Sequence, residues 1–133
     1  MLKLFALLLL CLVFDASACQ CRRASVEDGM LTAELVFGAE VIGAKVDGEE
    51  VRIDIRRIAN LKGDASRFRK VITSFGRAAC GITVSVPGRY IFFATKSGKV
   101  DSCSATRSFD DPGADDLKMK IVRLWDQAYR EKR

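Results

Sequence analysis

Cys19-Gln20-Cys21 constrains this chain more than any other stretch, because its two cysteines have only Cys80 and Cys103 as distant partners. A bridge between Cys19 and Cys21 themselves would close a very small, strained ring. Both N-terminal cysteines therefore reach far along the chain, and the start of the domain is stapled twice into its body. Which of them goes to Cys80 and which to Cys103 stays open on these grounds. Each bridge closes a loop of many tens of residues and is expected to contribute about 2–4 kcal/mol, a large share of the stability of one small domain. A zinc site built from the same cysteines is disfavoured, since one C-x-C with two lone partners and no histidine is not structural-zinc spacing.

The residues before Cys19 read as a secretion signal. Lys3 precedes an apolar run from Leu4 to Phe14, and Ala16-Ser17-Ala18 supplies the small residues a signal peptidase needs. The run is well short of the roughly 20 residues of a membrane-crossing helix, so no membrane span is expected. Residues 1–18 are thus assigned to the signal and residues 19–133 to a single domain, secreted to the extracellular space or matrix. Cys11 leaves with the signal. The mature protein then starts with a free α-amine on a half-cystine. An acylated Cys19, as in a bacterial lipoprotein, fits poorly because Ala16 stands where Leu is preferred.

An enzyme is not expected. The chain has no histidine, which excludes a Ser-His-Asp triad, a Cys-His pair and an H-E-x-x-H zinc site. Asp110-Asp111 and Asp115-Asp116 read as turn and helix-start residues. Removing the signal takes away Lys3 and Asp15, so the formal net charge stays at +5. Arg22, Arg23, Arg56, Arg57, Arg67, Arg69 and Lys70 are candidates for a patch that binds acidic matrix glycans. A scattered, solvated surface is the simpler reading, as adjacent Arg56 and Arg57 would point to opposite faces of a strand. The aromatic residues lie mostly in apolar runs, which leaves little for stacking nucleic-acid bases.

In chain order, Ser25-Val26-Glu27-Asp28 starts a helical turn that Gly29 ends. Met30 to Ala44 reads as a long strand bent at Gly38 and Gly43. Asp47-Gly48 makes a hairpin turn. Val51, Ile53 and Ile55 then alternate with Arg52, Asp54 and Arg56 as in a half-buried strand. Lys62-Gly63-Asp64 turns the chain into a third strand within Phe68 to Phe75. Ile82 to Val86 is expected to be extended before the Pro87-Gly88 turn. Tyr90-Ile91-Phe92-Phe93-Ala94 reads as the central strand, and Ser97-Gly98 turns it into a partner strand over Lys99 to Cys103. Leu117, Ile121, Leu124, Trp125 and Ala128 share one face of a C-terminal helix expected to pack its Trp125 side on the sheet. Mainly β structure, as a five-stranded Greek-key barrel of the oligonucleotide-and-oligosaccharide-binding type with a C-terminal helix, is the predicted fold.

Several of these stretches carry a family resemblance. Cys19-Gln20-Cys21, the segment Ala33 to Val41, the Leu61-Lys62-Gly63 turn, Ala79-Cys80-Gly81 and Ser102-Cys103 resemble the tissue inhibitors of metalloproteinases, members of the netrin-like module family. The resemblance runs from Cys19 to about Trp125. It implies bridges from Cys19 to Cys80 and from Cys21 to Cys103. The chain departs from the family at Leu31, where a third cysteine is usual, at Gln20, where Ser or Thr is usual, and in lacking the cysteine-rich second subdomain.

The resemblance also implies a mechanism. The α-amine and carbonyl oxygen of Cys19 would chelate the catalytic zinc of a metalloproteinase and displace its hydrolytic water. That zinc belongs to the target, and no cofactor of the protein's own is expected. An α-amine with a pKa of roughly 7.7–8.0 deprotonates readily near neutral pH, and a metal favours the neutral form further. Cys19, Gln20, Cys21 and Arg22 would form one edge with Arg77 and Ala78, with Gln20 entering a specificity pocket of the protease. The partners expected are zinc metalloproteinases, met by a monomer. The alternative is a netrin-like matrix-binding module with the same fold and no chelation.

Overall fold

Two long strands frame the molecule, of which the computed structural model describes residues 19–133. The predicted secretion signal, with Cys11, lies outside the described residues. Strand β1 (Leu35–Asp47) and strand β2 (Glu50–Lys62) form a hairpin whose turn holds Gly48 at φ +64°, a conformation that glycine adopts without steric cost. The expected alternation in β2 is present: Ile53 and Ile55 are buried and Val51 half-buried, while Arg52 and Arg56 face solvent. The pairing of β1 with β2 slips at Val36/Phe37, Gly38/Ala39 and Val41/Gly43. Such bulges bend and twist long strands, and two of them fall at the glycines where bends were expected.

Strands β3 (Lys70–Ser74), β4 (Gly88–Ala94) and β5 (Arg107–Ser108) complete an antiparallel sheet of order β3-β2-β1-β4-β5. The central strand is therefore β1, not the Tyr90–Ala94 segment. It pairs with β2 on one side and with β4 on the other, at the middle of the strand order. The segment Lys99 to Cys103 is not the partner of β4 either. Its Val100 N–H donates to the Ile72 carbonyl and Ile72 N–H donates to that of Gly98, both at 2.9 Å. This parallel bridge ties the outer edge of β3 to the chain leaving β4 and curls the sheet into a partly open barrel. Ile82 to Val86 forms no strand, because side chains rather than a ladder take its N–H groups: Ile82 donates to Thr73 Oγ1 at 3.0 Å and Ser85 to the Tyr90 hydroxyl at 2.7 Å.

Both faces of the sheet are covered. Inside the barrel Phe37, Val41, Ile53, Ile55, Val71 and Phe92 form one core. Outside it Val36, Ile91, Phe93, Ala105, Phe109 and Ile121 form a second core under two helices. That is why β4 is apolar on both sides. Helix α1 (Val26–Thr32) starts at Ser25, whose Oγ accepts from Asp28 N–H at 3.1 Å. Gly29 does not end it. A Cβ at Gly29 would fall 2.4 Å from Ala105 Cβ, so the glycine lets α1 lie close against Ala105 and Phe93.

Helix α2 (Asp115–Glu131) carries Asp115 and Asp116 in its first turn and Arg130 in its last, in keeping with the helix dipole. It docks by Ile121, which is buried against Gly38, where a Cβ would fall 2.8 Å from Ile121 Cδ1. Leu117 and Leu124 flank that contact. Trp125 is 51% exposed, so the helix is not packed by its Trp125 side. Leu117, Ile121 and Leu124 follow one line along the helix. Trp125 lies about 100° further round than Leu124, at the margin of the contact.

Candidate functional site

The two bridges join Cys19 to Cys80 and Cys21 to Cys103, with Cα–Cα distances of 5.1 and 5.4 Å. All four sulfurs lie within 4.8 Å of one another. Each is committed to a bridge, so none offers a thiolate to a metal of the protein's own. The staples therefore form one knot, with the Cys19 and Cys21 sulfurs 3.6 Å apart.

This knot fixes two chain segments side by side. The Cys19 backbone nitrogen donates to the Ala78 carbonyl at 3.1 Å. Ala78 belongs to the 3-10 turn Arg77–Ala79, which ends at Cys80 in a left-handed conformation with φ +62°. Of the residues expected at the site, Cys19 is half-buried, whereas Gln20, Cys21, Arg22, Arg77 and Ala78 are exposed. Cys19, Cys21 and Arg77 share one shallow cavity of about 370 Å³. Gln20 and Arg22 do not line it. Leu31, where the family resemblance would place a third cysteine, is 80% exposed on α1.

Several positioning residues were not anticipated. Asp101 Oδ1 accepts from the N–H groups of Cys103 and Ser104, both at 2.9 Å, and so shapes the turn that presents Cys103. Ser102 N–H donates to the Cys80 carbonyl at 2.8 Å, which couples the two bridges through the backbone. Arg107 is buried and donates to the carbonyls of Ala105 at 2.8 Å and Ala24 at 2.9 Å. Burial, then the nearby Arg23 charge, hold its pKa below the ordinary arginine value. The Asp-x-Cys-Ser pattern at 101–104 is a turn signature that was available in the sequence. Arg107 carries no comparable signal.

No protein-family model and no curated protein matches this chain. The site is accordingly built on its own geometry. Among the described residues no helix is long and apolar enough to cross a membrane. The two disulfides are compatible with an extracellular protein. Of the seven cations named as a candidate glycan patch, three are paired with carboxylates: Arg23 with Asp111, Arg56 with Glu40 and Lys70 with Asp54.

Asp111 links the segment after Cys21 to the start of α2. Its carboxylate accepts from Gly113 N–H at 2.9 Å and pairs with Arg23 at 3.0 Å. The Gly113 hydrogen bond holds its pKa below the ordinary 3.8; burial opposes it as the next largest effect, and the Arg23 and Arg107 charges add to the lowering. A depressed carboxylate stabilises the fold above its unfolded-state pKa and loses that contribution as pH falls through its folded-state value. Asp111→Asn should therefore cost up to about 1 kcal/mol at neutral pH, an exposed pair being worth no more. It should also flatten the fall in stability below about pH 4. Thermal unfolding at several pH values measures both effects.

Proposed function

We propose that this protein is a secreted inhibitor of zinc metalloproteinases that chelates the target's catalytic zinc through the α-amine and carbonyl oxygen of Cys19. One observation carries the reading: the Cys19 backbone is held by its bridge to Cys80, by the Cys21–Cys103 bridge and by its hydrogen bond to Ala78, while Gln20 to Arg22 beside it are exposed. A chelator fixed in this way has little conformational freedom left to lose on binding. In a chain beginning at Cys19, one N–H of the neutral amine donates to Ala78, and the lone pair is left for the metal. Its carbonyl oxygen supplies the second bond. Together they occupy the position of the hydrolytic water and deprive the protease of its nucleophile. Arg77 and Ala78 extend the contact along the cleft beside Gln20, Cys21 and Arg22.

The test compares two forms of the secreted protein, one starting at Cys19 and one carrying an extra alanine before it, against zinc-metalloproteinase catalytic domains. An acylated nitrogen is no ligand, and the added residue sits where the zinc must come. The extended form should be weaker by more than about a hundredfold, beyond the loss from removing a metal's outer-sphere partner. Inhibition by neither form, with both bridges intact by mass, would overturn the proposal in favour of a matrix-binding module.

Gln20 sets the second expectation. Its primary amide must be desolvated to enter a protease pocket, at a cost of about 1 kcal/mol where its hydrogen bonds are incompletely replaced. Gln20→Thr should tighten inhibition roughly fivefold to tenfold for at least some targets. Unchanged inhibition constants across several proteases would sink this assignment of Gln20.

A further inference from the structure

The side of α2 that carries Trp125 stands over a cavity of about 460 Å³ between the helix and the sheet. Its volume lies within the roughly 300–1,000 Å³ of sites that hold small organic molecules. Buried Phe109 and Ile121 line it, and Val122 and Trp125 line it from the helix while remaining 40% and 51% exposed. The sheet contributes Arg56, Arg57 and Arg89.

The arginines meet here for a structural reason. Adjacent strand residues ordinarily face opposite ways, and Arg56 and Arg57 were expected to do so. The β1–β2 register slips between Gly38 and Ala39, leaving Ile58 unpaired, and both arginines end at this cavity. Arg56 is committed to Glu40. Arg57 and Arg89 have no ion-pair partner among the described residues. Arg89 is instead held over the Phe109 ring, 5.9 Å from its centroid, an arrangement that leaves the edge of its guanidinium free to donate. Glu40 lines the cavity too and is neutralised by Arg56, which leaves Asp126 as the remaining charge on the lining. Two free guanidiniums against one carboxylate leave one uncompensated positive charge above an apolar floor.

We propose that this cavity binds a small amphipathic organic anion, with one carboxylate or sulfate between Arg57 and Arg89 and its alkyl or aryl body against Phe109, Val122 and Trp125. The body would cover apolar surface that water now wets, and the anion would receive charge-assisted hydrogen bonds from planar donors suited to two oxygens. The cavity shares no lining residue with the Cys19–Arg22 and Arg77–Ala78 edge. Occupancy is therefore independent of protease inhibition.

Trp125 is the only tryptophan in the chain, so its emission reports on this site alone. The protein is titrated with octanoate, octanol and octylammonium, which share one hydrocarbon body and differ in charge, with calorimetry alongside. Octanoate should give a saturable change in Trp125 emission and bind at least about tenfold more tightly than octanol, one charge-assisted contact being worth that much. Arg57→Gln and Arg89→Gln, both at exposed positions, should each weaken octanoate about tenfold and leave octanol unchanged. Equal binding of octanoate and octanol would overturn the anion site. Preference for octylammonium would do the same and assign the site to Asp126. No emission change together with no heat of binding would remove the site altogether.

Discussion

Gly81→Ala should destabilise the protein by about 3 kcal/mol or more and sharply lower the yield of molecules with both bridges formed. A Cβ at Gly81 would fall 1.9 Å from the Ser74 carbonyl oxygen and 3.0 Å from that of Gly76. These are backbone atoms, and no flexible side chain is there to swing aside. The loop is already tied across: Gly81 N–H donates to the Gly76 carbonyl at 3.0 Å, and Cys80 N–H donates to that of Arg77 at 3.1 Å. Relief has to come from moving Cys80, which drags Cys19 and separates it from Ala78. Gly48→Ala is the control, because Gly48 also has positive φ, at +64°, but nothing within 4 Å of its Cβ position. It should cost only about 1 kcal/mol. Urea denaturation gives both values, and intact mass under non-reducing conditions counts the bridges. Equal costs at the two glycines would mean that the loop yields and does not hold Cys80 in place.

What was legible in the sequence follows from where one face is buried. Val51, Ile53 and Ile55 could be assigned to the core because their alternation has one meaning in a half-buried strand, and the turn at Asp47-Gly48 fixed their partner. Lys99 to Cys103 could not be placed, since its attachment to β3 through Ile72 is a bridge between segments far apart in sequence, with no periodicity of its own. The stripe on α2 was visible, yet its rotation was not. Leu124 and Trp125 both satisfy helical spacing, and only the fit of Ile121 against Gly38 decides which of them turns inward. Gly29 illustrates a different ambiguity, because the same residue that stops a helix also lets one approach a sheet.

The candidate site divides in the same way. The cysteines announced themselves by count and spacing, and the pairing implied by resemblance is the one observed. Asp101, Ser102 and Arg107 act through backbone groups of distant segments, which composition does not reveal. Arg57 shows the limit most clearly. Its direction is set by the register slip at Ile58, the next residue of its own strand, and no residue type there announces a bulge.

Removing the Cys21–Cys103 bridge should separate stability from inhibition. The bridges span 61 residues for Cys19–Cys80 and 82 for Cys21–Cys103, a difference worth only about 0.3 kcal/mol in loop entropy. Either double substitution to alanine should therefore cost a similar amount, about 2–5 kcal/mol. Their effects on a zinc protease should differ. With Cys21 and Cys103 replaced, Cys19 stays fastened to Cys80 and hydrogen-bonded to Ala78, and Ala24 N–H still has the Cys103-position carbonyl, now 3.0 Å away, as its acceptor. Gln20 to Arg22 become free, and ordering them on binding should weaken inhibition about tenfold, at roughly 0.5–1.5 kcal/mol for each long side chain. Replacing Cys19 and Cys80 releases the chelating residue itself and should abolish inhibition. Inhibition constants measured at a temperature where both variants remain folded distinguish the two. Equal losses would mean that the terminus acts only as part of a rigid edge, and equal retention would reduce both bridges to staples.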